Sequence, residues 1–469
     1  MHYVSTRGQA PRLGFSDAVL AGLARDGGLY WPEHWPQLDR TTISGFAGCS
    51  YADIAKAVIG PYASDVAAAD LSGMIDTAYA SFRHQATCPL VQLDDNLFVL
   101  ELFHGPTLAF KDVAMQLLGR LMDHVLKARG QRATIVGATS GDTGSAAIEA
   151  FCGLSQVDVF ILYPHGRVSE VQRRQMTTVA ADNIHALAVE GTFDDCQAIV
   201  KGLFNNHTFR DSYALSGVNS INGARIVAQA GYYFSSAVSL GGPHRPVNFS
   251  VPTGNFGDVL AGYVAKNMGL PVKKLMIATN SNDILARTLA SGRYEVTGVH
   301  PTSSPSMDIQ VSSNFERLLF DACDRQSELI RAMMGSLSQS GSFTIPDEAM
   351  AIIRRDFAAH RVSEDEVSQT MRETLARTGY LLDPHTAVGV AAGAKMLSDD
   401  PSTPAVVLAT AHPAKFPDAV FAATGVRPAL PPHLADLMER KEHFTVIANE
   451  QKAIEQFISQ HGRMSGTGV

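Results

Sequence analysis

Short apolar runs alternate with longer amphipathic stretches along most of the chain after residue 96. The runs are rich in β-branched residues, which favour strands, and they cover residues 97–102, 133–137, 157–162, 184–189, 247–251, 274–279 and 405–409. The stretches between them carry apolar residues at helical spacing and cover 111–129, 143–152, 192–204, 220–238, 257–268 and 282–290. Such alternation is typical of mostly parallel sheets that are covered by helices on both faces. The pattern therefore predicts an α/β fold.

The remaining segments suggest how the chain is divided. Residues 291–345 begin with a run of serine, proline and threonine and continue into a predicted helix at 314–334, which is typical of an insertion. We predict a mixed N-terminal section at 1–95, a smaller α/β region at 96–240, and an α/β domain at 241–469 that carries this insertion.

Composition and charge exclude several classes of protein. The 469-residue chain is 45% hydrophobic and 18% charged, which is ordinary for a globular protein, and its net charge is 38 − 46 = −8. Because the chain lacks a large basic block, no nucleic-acid surface is expected. The five cysteines are scattered without a C-x-x-C pair, so we predict free thiols and no metal site. The sequence has neither a secretory signal nor an uncharged apolar run of the ~20 residues that a membrane span needs, so a cytoplasmic location is expected.

The candidate chemistry is centred on residues 101–112, which read Glu-Leu-Phe-His-Gly-Pro-Thr-Leu-Ala-Phe-Lys-Asp. This stretch ends a predicted strand, breaks at a Gly-Pro pair and starts a helix at Lys111. A lysine cation is costly to bury, whereas burial and the positive end of a helix both favour the neutral amine. Lys111 therefore has the profile of a Schiff-base lysine. The alternative is an ordinary lysine whose amine lies in water, and for one lysine taken alone that alternative is the commoner case.

Two predicted strand-to-helix junctions are rich in glycine and hydroxyl residues. The first, 137–146, contains Ser-Gly-Asp-Thr-Gly, and the second, 252–258, contains Thr-Gly-Asn-Phe-Gly. Backbone N–H groups at a helix start bind anions, and in an open parallel sheet such junctions lie at the carboxyl ends of the strands, where ligands bind. Neither loop is a Walker A loop or a dinucleotide fingerprint. One such loop is equally typical of a capped helix, but two of them and Lys111 together predict an anionic cofactor and an anionic substrate.

A third segment, 408–416, ends a predicted buried strand at the hydroxyl of Thr410 and then breaks at Pro413. Taken alone, Thr410 is more typical of a strand-end hydroxyl that bonds its own backbone, and His412 of a structural histidine. Neither residue indicates a function without its neighbours.

Taken together, these segments resemble the threonine synthase family, in the longer subgroup of bacteria and fungi. That family belongs to the tryptophan-synthase-β-like class, fold type II, of pyridoxal-phosphate enzymes. The resemblance runs through nearly the whole chain, at residues 3–8, 26–30, 101–112, 139–146, 166–169, 172–176, 219–225, 252–257 and 409–416. The lysine segment is highly specific, whereas the Ser-Gly-x-Thr-Gly loop is shared with sister enzymes such as serine/threonine dehydratase.

The resemblance implies two open, mostly parallel twisted sheets flanked by helices, with pyridoxal 5'-phosphate as the cofactor. It implies that Lys111 forms the Schiff base, that Thr410 faces the pyridine nitrogen, and that the cofactor phosphate is held by Gly254, Asn255, Phe256 and Gly257. A hydroxyl at Thr410 leaves the ring nitrogen closer to neutral than a carboxylate would. Asp142 departs from the pattern, because many fold type II enzymes have asparagine there and a carboxylate would repel the cofactor's phenolate. The sequence leaves two alternatives for the partner of Asp142, a helix N-terminus or a cation.

By the same resemblance, the chain catalyses the last step of threonine biosynthesis, a β,γ-replacement that converts O-phospho-L-homoserine and water to L-threonine and phosphate. The resemblance thus implies a carbon–oxygen lyase acting on phosphates, in which Lys111 moves the protons. The substrate-binding candidates are Ser140, Thr143, Asn222 and Arg225, with Arg7 and Arg167 as weaker ones. Arginine suits a bidentate phosphate clamp, although each arginine taken singly is more typical of an ion pair. A monomer or homodimer without nucleic-acid, membrane or metal partners is expected.

Other functions are compatible with parts of this pattern. A dehydratase acting on serine or threonine would keep the cofactor, but the chain length, the opening section and residues 103–107 argue against it. A non-catalytic protein that keeps the fold is disfavoured, because Lys111 and both anion loops are present. A nucleotide-binding protein would need a phosphate loop that this sequence lacks.

Overall fold

The structure, a computed structural model, describes residues 1–217 and 220–463, so Asn219 of the 219–225 motif lies outside the described residues. The strands in these ranges are β1 (Tyr3–Ser5), β2 (Tyr30–Pro32), β3 (Leu90–Asp94), β4 (Leu97–Glu101), β5 (Ala133–Ala138), β6 (Val157–Pro164), β7 (Ile184–Val189), β8 (Leu215–Ser216), β9 (Val247–Pro252), β10 (Val272–Thr279), β11 (Arg293–Glu295), β12 (Ser342–Thr344), β13 (Phe357–Arg361), β14 (Ala405–Ala409) and β15 (Thr445–Ile447).

The α-helices are α1 (Phe15–Ala21), α2 (Arg40–Ser44), α3 (Tyr51–Ile59), α4 (Ala68–Tyr79), α5 (Lys111–Ala128), α6 (Asp142–Phe151), α7 (Glu170–Thr177), α8 (Phe193–Asn205), α9 (His207–Ser212), α10 (Gly223–Ser239), α11 (Gly257–Asn267), α12 (Ile284–Ser291), α13 (Phe315–Ala322), α14 (Ser327–Ser340), α15 (Asp347–Asp356), α16 (Glu364–Thr378), α17 (Pro384–Asp399), α18 (Pro417–Thr424) and α19 (Gln451–His461). Among the described residues, no helix is both long enough and apolar enough to cross a membrane.

The larger sheet has six strands in the order β13-β10-β9-β14-β4-β3. Its neighbouring strands are parallel except for β3, which is antiparallel to β4. Successive residues of β14 belong to different apolar clusters, with Val406 and Leu408 on one face and Val407 and Ala409 on the other. Both faces are therefore covered, which explains why the strand reads as a continuous apolar run instead of an alternating one.

The smaller sheet has five parallel strands in the order β15-β7-β6-β5-β8. Helix α5 connects the two sheets, because it follows β4 of the larger sheet and leads into β5 of the smaller one. Lys111 is the first residue of this connection, and its amine contacts Asp142 of α6, the helix that follows β5 of the smaller sheet. The predicted fold of two mostly parallel sheets flanked by helices is confirmed.

The two sheets cross the predicted segment boundaries. Strand β3 of the opening section pairs with β4, and β15 near the C-terminus joins the smaller sheet beside β7. Both pairings join segments that the sequence pattern separates, because strand pairing is set by tertiary packing and not by distance along the chain. The larger sheet therefore takes strands from all three predicted segments, 1–95, 96–240 and 241–469, and the smaller sheet takes strands from the last two.

The prediction of one helix over residues 314–334 is wrong, because the structure has two helices there. Helix α13 ends at Ala322 and α14 begins at Ser327, and between them Asp324 and Arg325 have left-handed backbone with φ of 50° and 56°. The guanidinium of Arg325 donates to the carbonyl oxygens of residues 32 and 33 at 2.8 and 2.6 Å. These tertiary contacts with the end of β2 hold the turn that interrupts the helix.

Candidate active site

The predicted cofactor residues lie at one edge of the larger sheet. Strands β9, β14 and β4 are neighbours, and all three run in the same direction. The 254–257 loop follows β9, Thr410 follows β14, and the loop that leads to Lys111 follows β4. Since the carboxyl ends of parallel strands meet at the same edge, the fold brings these three segments together where ligands bind in open α/β sheets.

Backbone hydrogen bonds hold the Lys111 loop against the segment that follows β14. The N–H of Phe110 donates to Thr410 O at 2.9 Å, and the N–H of His412 donates to Leu108 O at 3.0 Å. Leu108 has a left-handed φ of 63°, which turns the chain between these two bonds. The start of α5 is thereby fixed beside Thr410.

Asp112 organises the turn before the helix. It accepts hydrogen bonds from the N–H of Thr107 at 2.8 Å and from its hydroxyl at 2.7 Å. A Cβ atom on Gly105 would lie 2.5 Å from this carboxylate, so the close approach requires glycine. Burial raises the pKa of Asp112 to about 6, against the lowering effect of the two bonds from Thr107.

The Lys111 amine is largely buried, as predicted. The side chain is 12% exposed, and Nζ donates to Asp142 Oδ2 at 3.4 Å. Burial lowers the pKa of Lys111, and the cations Lys415 and Arg225 lower it further, whereas the Asp142 carboxylate opposes this change. The site therefore favours the neutral amine that a covalent cofactor needs.

Asp142 at the start of α6 faces cations, which resolves the open question about its partner. One oxygen, Oδ1, accepts from Gln172 Nε2 at 2.9 Å and lies 3.1 Å from Lys415 Nζ. The other, Oδ2, accepts from Ser306 Oγ at 3.1 Å and from Lys111. Burial alone would raise the pKa of Asp142, but the nearby cations and the Gln172 bond hold it well below its ordinary value. The carboxylate is therefore ionised.

The sequence pattern did not assign a role to Lys415, Ser306 or His385. Lys415 lies in a short 3-10 helix after β14 with 0% of its side chain exposed. Ser306 comes from the predicted insertion, and its N–H donates to His385 Nε2 at 3.2 Å. Because Nε2 accepts, the ring proton is on Nδ1, which donates to Asp383 Oδ2 at 2.8 Å. The sequence contained a signal for Lys415 alone, because a lysine is unusual in the mostly apolar segment that follows β14.

The 254–257 loop has the shape of a phosphate cradle. Phe256 has a left-handed φ of 65° and a buried ring that packs against Phe315 and Phe357. A Cβ atom on Gly254 would lie 2.8 Å from Ser306 O, so a side chain there would collide with that backbone and displace the loop. Helix α11 begins directly after it, and the first N–H groups of a helix lack intrahelical acceptors and attract anions.

The 139–145 segment forms the core of the other predicted anion-binding loop. The Thr139 hydroxyl accepts from the N–H groups of Gly141 and Gly144 at 3.0 and 2.9 Å, which shapes the turn into α6. Gly141 has a φ of 145°, and a Cβ atom there would lie 2.5 Å from the side chain of residue 172. Ser140 is exposed and Thr143 is partly exposed, so both hydroxyls are accessible to a ligand.

The other predicted substrate ligands differ in their surroundings. Asn222 caps α10, accepting from Ala224 N at 3.1 Å and donating to Val19 O at 2.9 Å, so both amide atoms already have structural partners. Arg225 is buried near Lys111, and burial lowers its pKa to about 10. The two weaker candidates lie elsewhere: Arg7 forms an ion pair with Glu316 at 3.0 Å, and Arg167 is exposed.

These residues fit pyridoxal phosphate. A buried lysine with a lowered pKa, a glycine-lined helix start for a phosphate and a hydroxyl at Thr410 are the groups that such a cofactor needs from a protein. Among the described residues, no cluster of His, Cys, Asp or Glu could hold a metal ion.

Family models match three consecutive parts of the chain. They are described as threonine synthase N terminus over residues 2–79, pyridoxal-phosphate dependent enzyme over residues 83–334, and threonine synthase, C-terminal over residues 386–458. The second model covers more than half of the chain and includes Lys111 and the 254–257 loop.

Similar proteins cover almost the full length. A threonine synthase from Pseudomonas aeruginosa is 54% identical, with 98% of this chain and 99% of the relative covered. The crystal structure of a PLP-bound threonine synthase from Brucella melitensis has 60% identity and a TM-score of 0.96, covering 99% and 100% of the two chains. The threonine synthase from yeast has 41% identity and a TM-score of 0.94, covering 98% of each chain. The chain therefore belongs to the threonine synthase family of pyridoxal-phosphate-dependent enzymes.

Proposed function

We propose that this chain converts O-phospho-L-homoserine and water to L-threonine and phosphate, with pyridoxal phosphate bound at Lys111. The observation that carries the proposal is the meeting of three segments at the carboxyl ends of β9, β14 and β4. They supply the 254–257 loop, Thr410 and the buried Lys111 amine, in a family whose relatives are named threonine synthase.

In this proposal each segment holds a different part of the cofactor. Lys111 would carry it covalently, the 254–257 loop at the start of α11 would hold its phosphate, and the Thr410 hydroxyl would face its ring nitrogen. Bound pyridoxal phosphate supplies an electron-accepting ring that stabilises negative charge developing on the substrate carbons. The protein supplies the geometry and the proton transfers.

Lys111 is the proposed general base. A lysine can take a proton at neutral pH when its amine is neutral, and burial together with Lys415 and Arg225 favours that state. Once protonated, the amine has an acceptor at Asp142 Oδ2, 3.4 Å from Nζ. The low exposure of the side chain keeps water away from the moving proton.

The substrate phosphate is proposed to bind between the 139–145 loop and α10. Ser140 and Thr143 present accessible hydroxyls at the start of α6, where the helix dipole attracts an anion. Arg225 adds a guanidinium close to Lys111, and its planar fork suits a phosphate. Asn222 is proposed to support this region through α10, because its amide already holds the helix start.

Two measurements test the proposed function. Borohydride reduction of the yellow holoprotein, followed by peptide mapping, should find the cofactor on Lys111. Lys111→Ala should abolish both the cofactor band and the release of phosphate and threonine from O-phospho-L-homoserine, whereas Lys127→Ala at the exposed end of α5 should change neither. A colourless wild-type protein that cannot be reconstituted with pyridoxal phosphate would refute the proposal.

The same assay separates the dehydratase alternative. A dehydratase would release a keto acid from serine or threonine faster than it releases phosphate from O-phospho-L-homoserine. We expect the reverse order. We also propose a cytoplasmic location and a monomer or homodimer, which cell fractionation and light scattering would test.

A further inference from the structure

A fully buried second lysine, Lys415, lies beside the same carboxylate as Lys111. Its Nζ atom donates to Thr107 O at 2.6 Å and to Gln175 Oε1 at 2.8 Å, and it lies 3.1 Å from Asp142 Oδ1. We propose that Lys415 is a positioning residue, which keeps the Asp142 carboxylate ionised and directed at Lys111 and thereby sets the protonation state of the Lys111 amine. This inference rests on the proposed role of Lys111.

The surroundings of Lys415 are built for a cation. An ammonium group has three N–H donors, and three oxygen atoms from three different segments surround Nζ. With 0% of the side chain exposed, a charge at this position is tolerated only because it is paired and fully hydrogen-bonded. These three acceptors suit an ammonium group, and Lys415 does not reach the solvent side of the site.

The contacts of Asp142 divide between its two oxygens. Lys415 and Gln172 hold Oδ1, whereas Oδ2 is directed at Lys111 and also accepts from Ser306. The bonds to Oδ1 thus fix the orientation of the carboxylate, and Oδ2 is the oxygen that accepts from the Lys111 amine. Without Lys415, Oδ1 would keep only the bond from Gln172 among the described residues.

Charged and titratable groups from several elements act on this cluster. Lys111 faces Asp142 of α6, Lys415 after β14 and Arg225 of α10. Asp142 is also influenced by His385 of α17, and Asp112 of α5 faces Lys415. If Lys415 lost its charge, Lys111 would become the only amine beside the Asp142 carboxylate among the described residues, and its protonated form would be favoured.

The pair also explains how a carboxylate is tolerated where many fold type II enzymes have asparagine. A lone carboxylate would repel an anionic cofactor, but Asp142 and Lys415 together carry no net charge. Removing both charges should therefore leave the Lys111 amine closer to its normal state than removing Lys415 alone.

Competitive labelling of the full-length chain, after removal of the cofactor, tests the inference without relying on enzymatic activity. An amine-reactive aryl fluoride applied from about pH 6 to about pH 11, followed by peptide mapping, reports the titration of each lysine. At neutral to mildly alkaline pH, Lys415→Met should slow the labelling of Lys111 at least about tenfold, which is the lower end of the effect of a close charge. The double variant Asp142→Asn/Lys415→Met should restore most of the labelling rate, because it removes the attraction together with its counter-charge.

Lys266→Met is the matched control, because Lys266 also pairs with a carboxylate, Asp356, at 2.9 Å but lies on α11. It should leave the labelling of Lys111 unchanged. An unchanged titration of Lys111 in Lys415→Met, or a double variant as slow as the single one, would overturn the inference.

The wild-type chain decides the matter if Lys415→Met does not fold, as judged by circular dichroism. The inference then requires that Lys111 is labelled at lower pH than the exposed Lys127 and that Lys415 stays unlabelled throughout. Labelling of Lys111 in step with Lys127, or ready labelling of Lys415, would overturn it. If the lysines are labelled as this inference expects but the chain makes no threonine, only the proposed function is refuted.

Discussion

Because Asp258 is buried, ionisation of its carboxyl group should lower the free energy of unfolding as the pH rises. This residue lies in the first turn of α11, and its Oδ1 accepts from the hydroxyls of Tyr232 and Tyr233. Its Oδ2 atom is buried and has no hydrogen-bond partner among the described residues. Burial raises the pKa of Asp258 from 3.8 to about 7, against the lowering effect of the two tyrosine bonds.

The direction and the size of this pH dependence follow from the linkage between protonation and folding. Between pH 3.8 and about pH 7 the folded chain keeps the Asp258 proton that the unfolded chain has released, so the free energy of unfolding falls as the pH rises. The difference between these two pKa values corresponds to about 4 kcal/mol. This contribution is fully lost once the pH exceeds the folded pKa.

Asp258→Asn removes this ionisation while keeping the shape of the side chain. The new amide N–H₂ group takes the place of the unpartnered oxygen, which costs about 1–3 kcal/mol. We therefore expect the variant to be equal to or less stable than wild type near pH 5, but about 1–3 kcal/mol more stable above pH 8. Urea unfolding of the cofactor-free chain at several pH values measures this difference directly.

Asp182→Asn at an exposed position is the control and should show no such pH dependence. A variant Asp258→Asn that is destabilised equally at pH 5 and above pH 8 would refute the reasoning. It would mean that the carboxyl group does not change its ionisation between the folded and unfolded chain in this range.

Three further outcomes are expected. Gly254→Ala should weaken the binding of pyridoxal phosphate at least about tenfold in a fluorescence titration, because the new Cβ would lie 2.8 Å from Ser306 O. Arg225→Met should lower kcat/KM for O-phospho-L-homoserine by about tenfold or more while leaving the cofactor band in place, since the proposed contact between its guanidinium and the substrate phosphate would be lost. Arg317→Met should lower the free energy of unfolding by about 1–3 kcal/mol in urea, because the buried carbonyl oxygen of Tyr30 loses a donor that lies 3.1 and 2.9 Å away.

The sequence by itself determined the local elements and the cofactor segments. Strands β5, β9 and β14 lie within a residue of the predicted runs, because apolar β-branched runs between glycine-rich loops have few other ways to be buried. Lys111 at the start of α5 was also predictable, since the Gly-Pro break and the helical spacing after it are both local signals.

Only the tertiary structure decided what surrounds the Lys111 amine. Ser306 reaches Asp142 across 164 residues of sequence, and Lys415 reaches Gln175 across 240. Ser306 lies in the predicted insertion, and Lys415 lies after β14, where the sequence pattern predicted no partner for it. Spacing along a chain predicts which residues share a helix face or a strand, but it does not predict which distant segments pack together. The charge state of a buried amine depends on those distant segments, because a close charge acts through space and not through the chain.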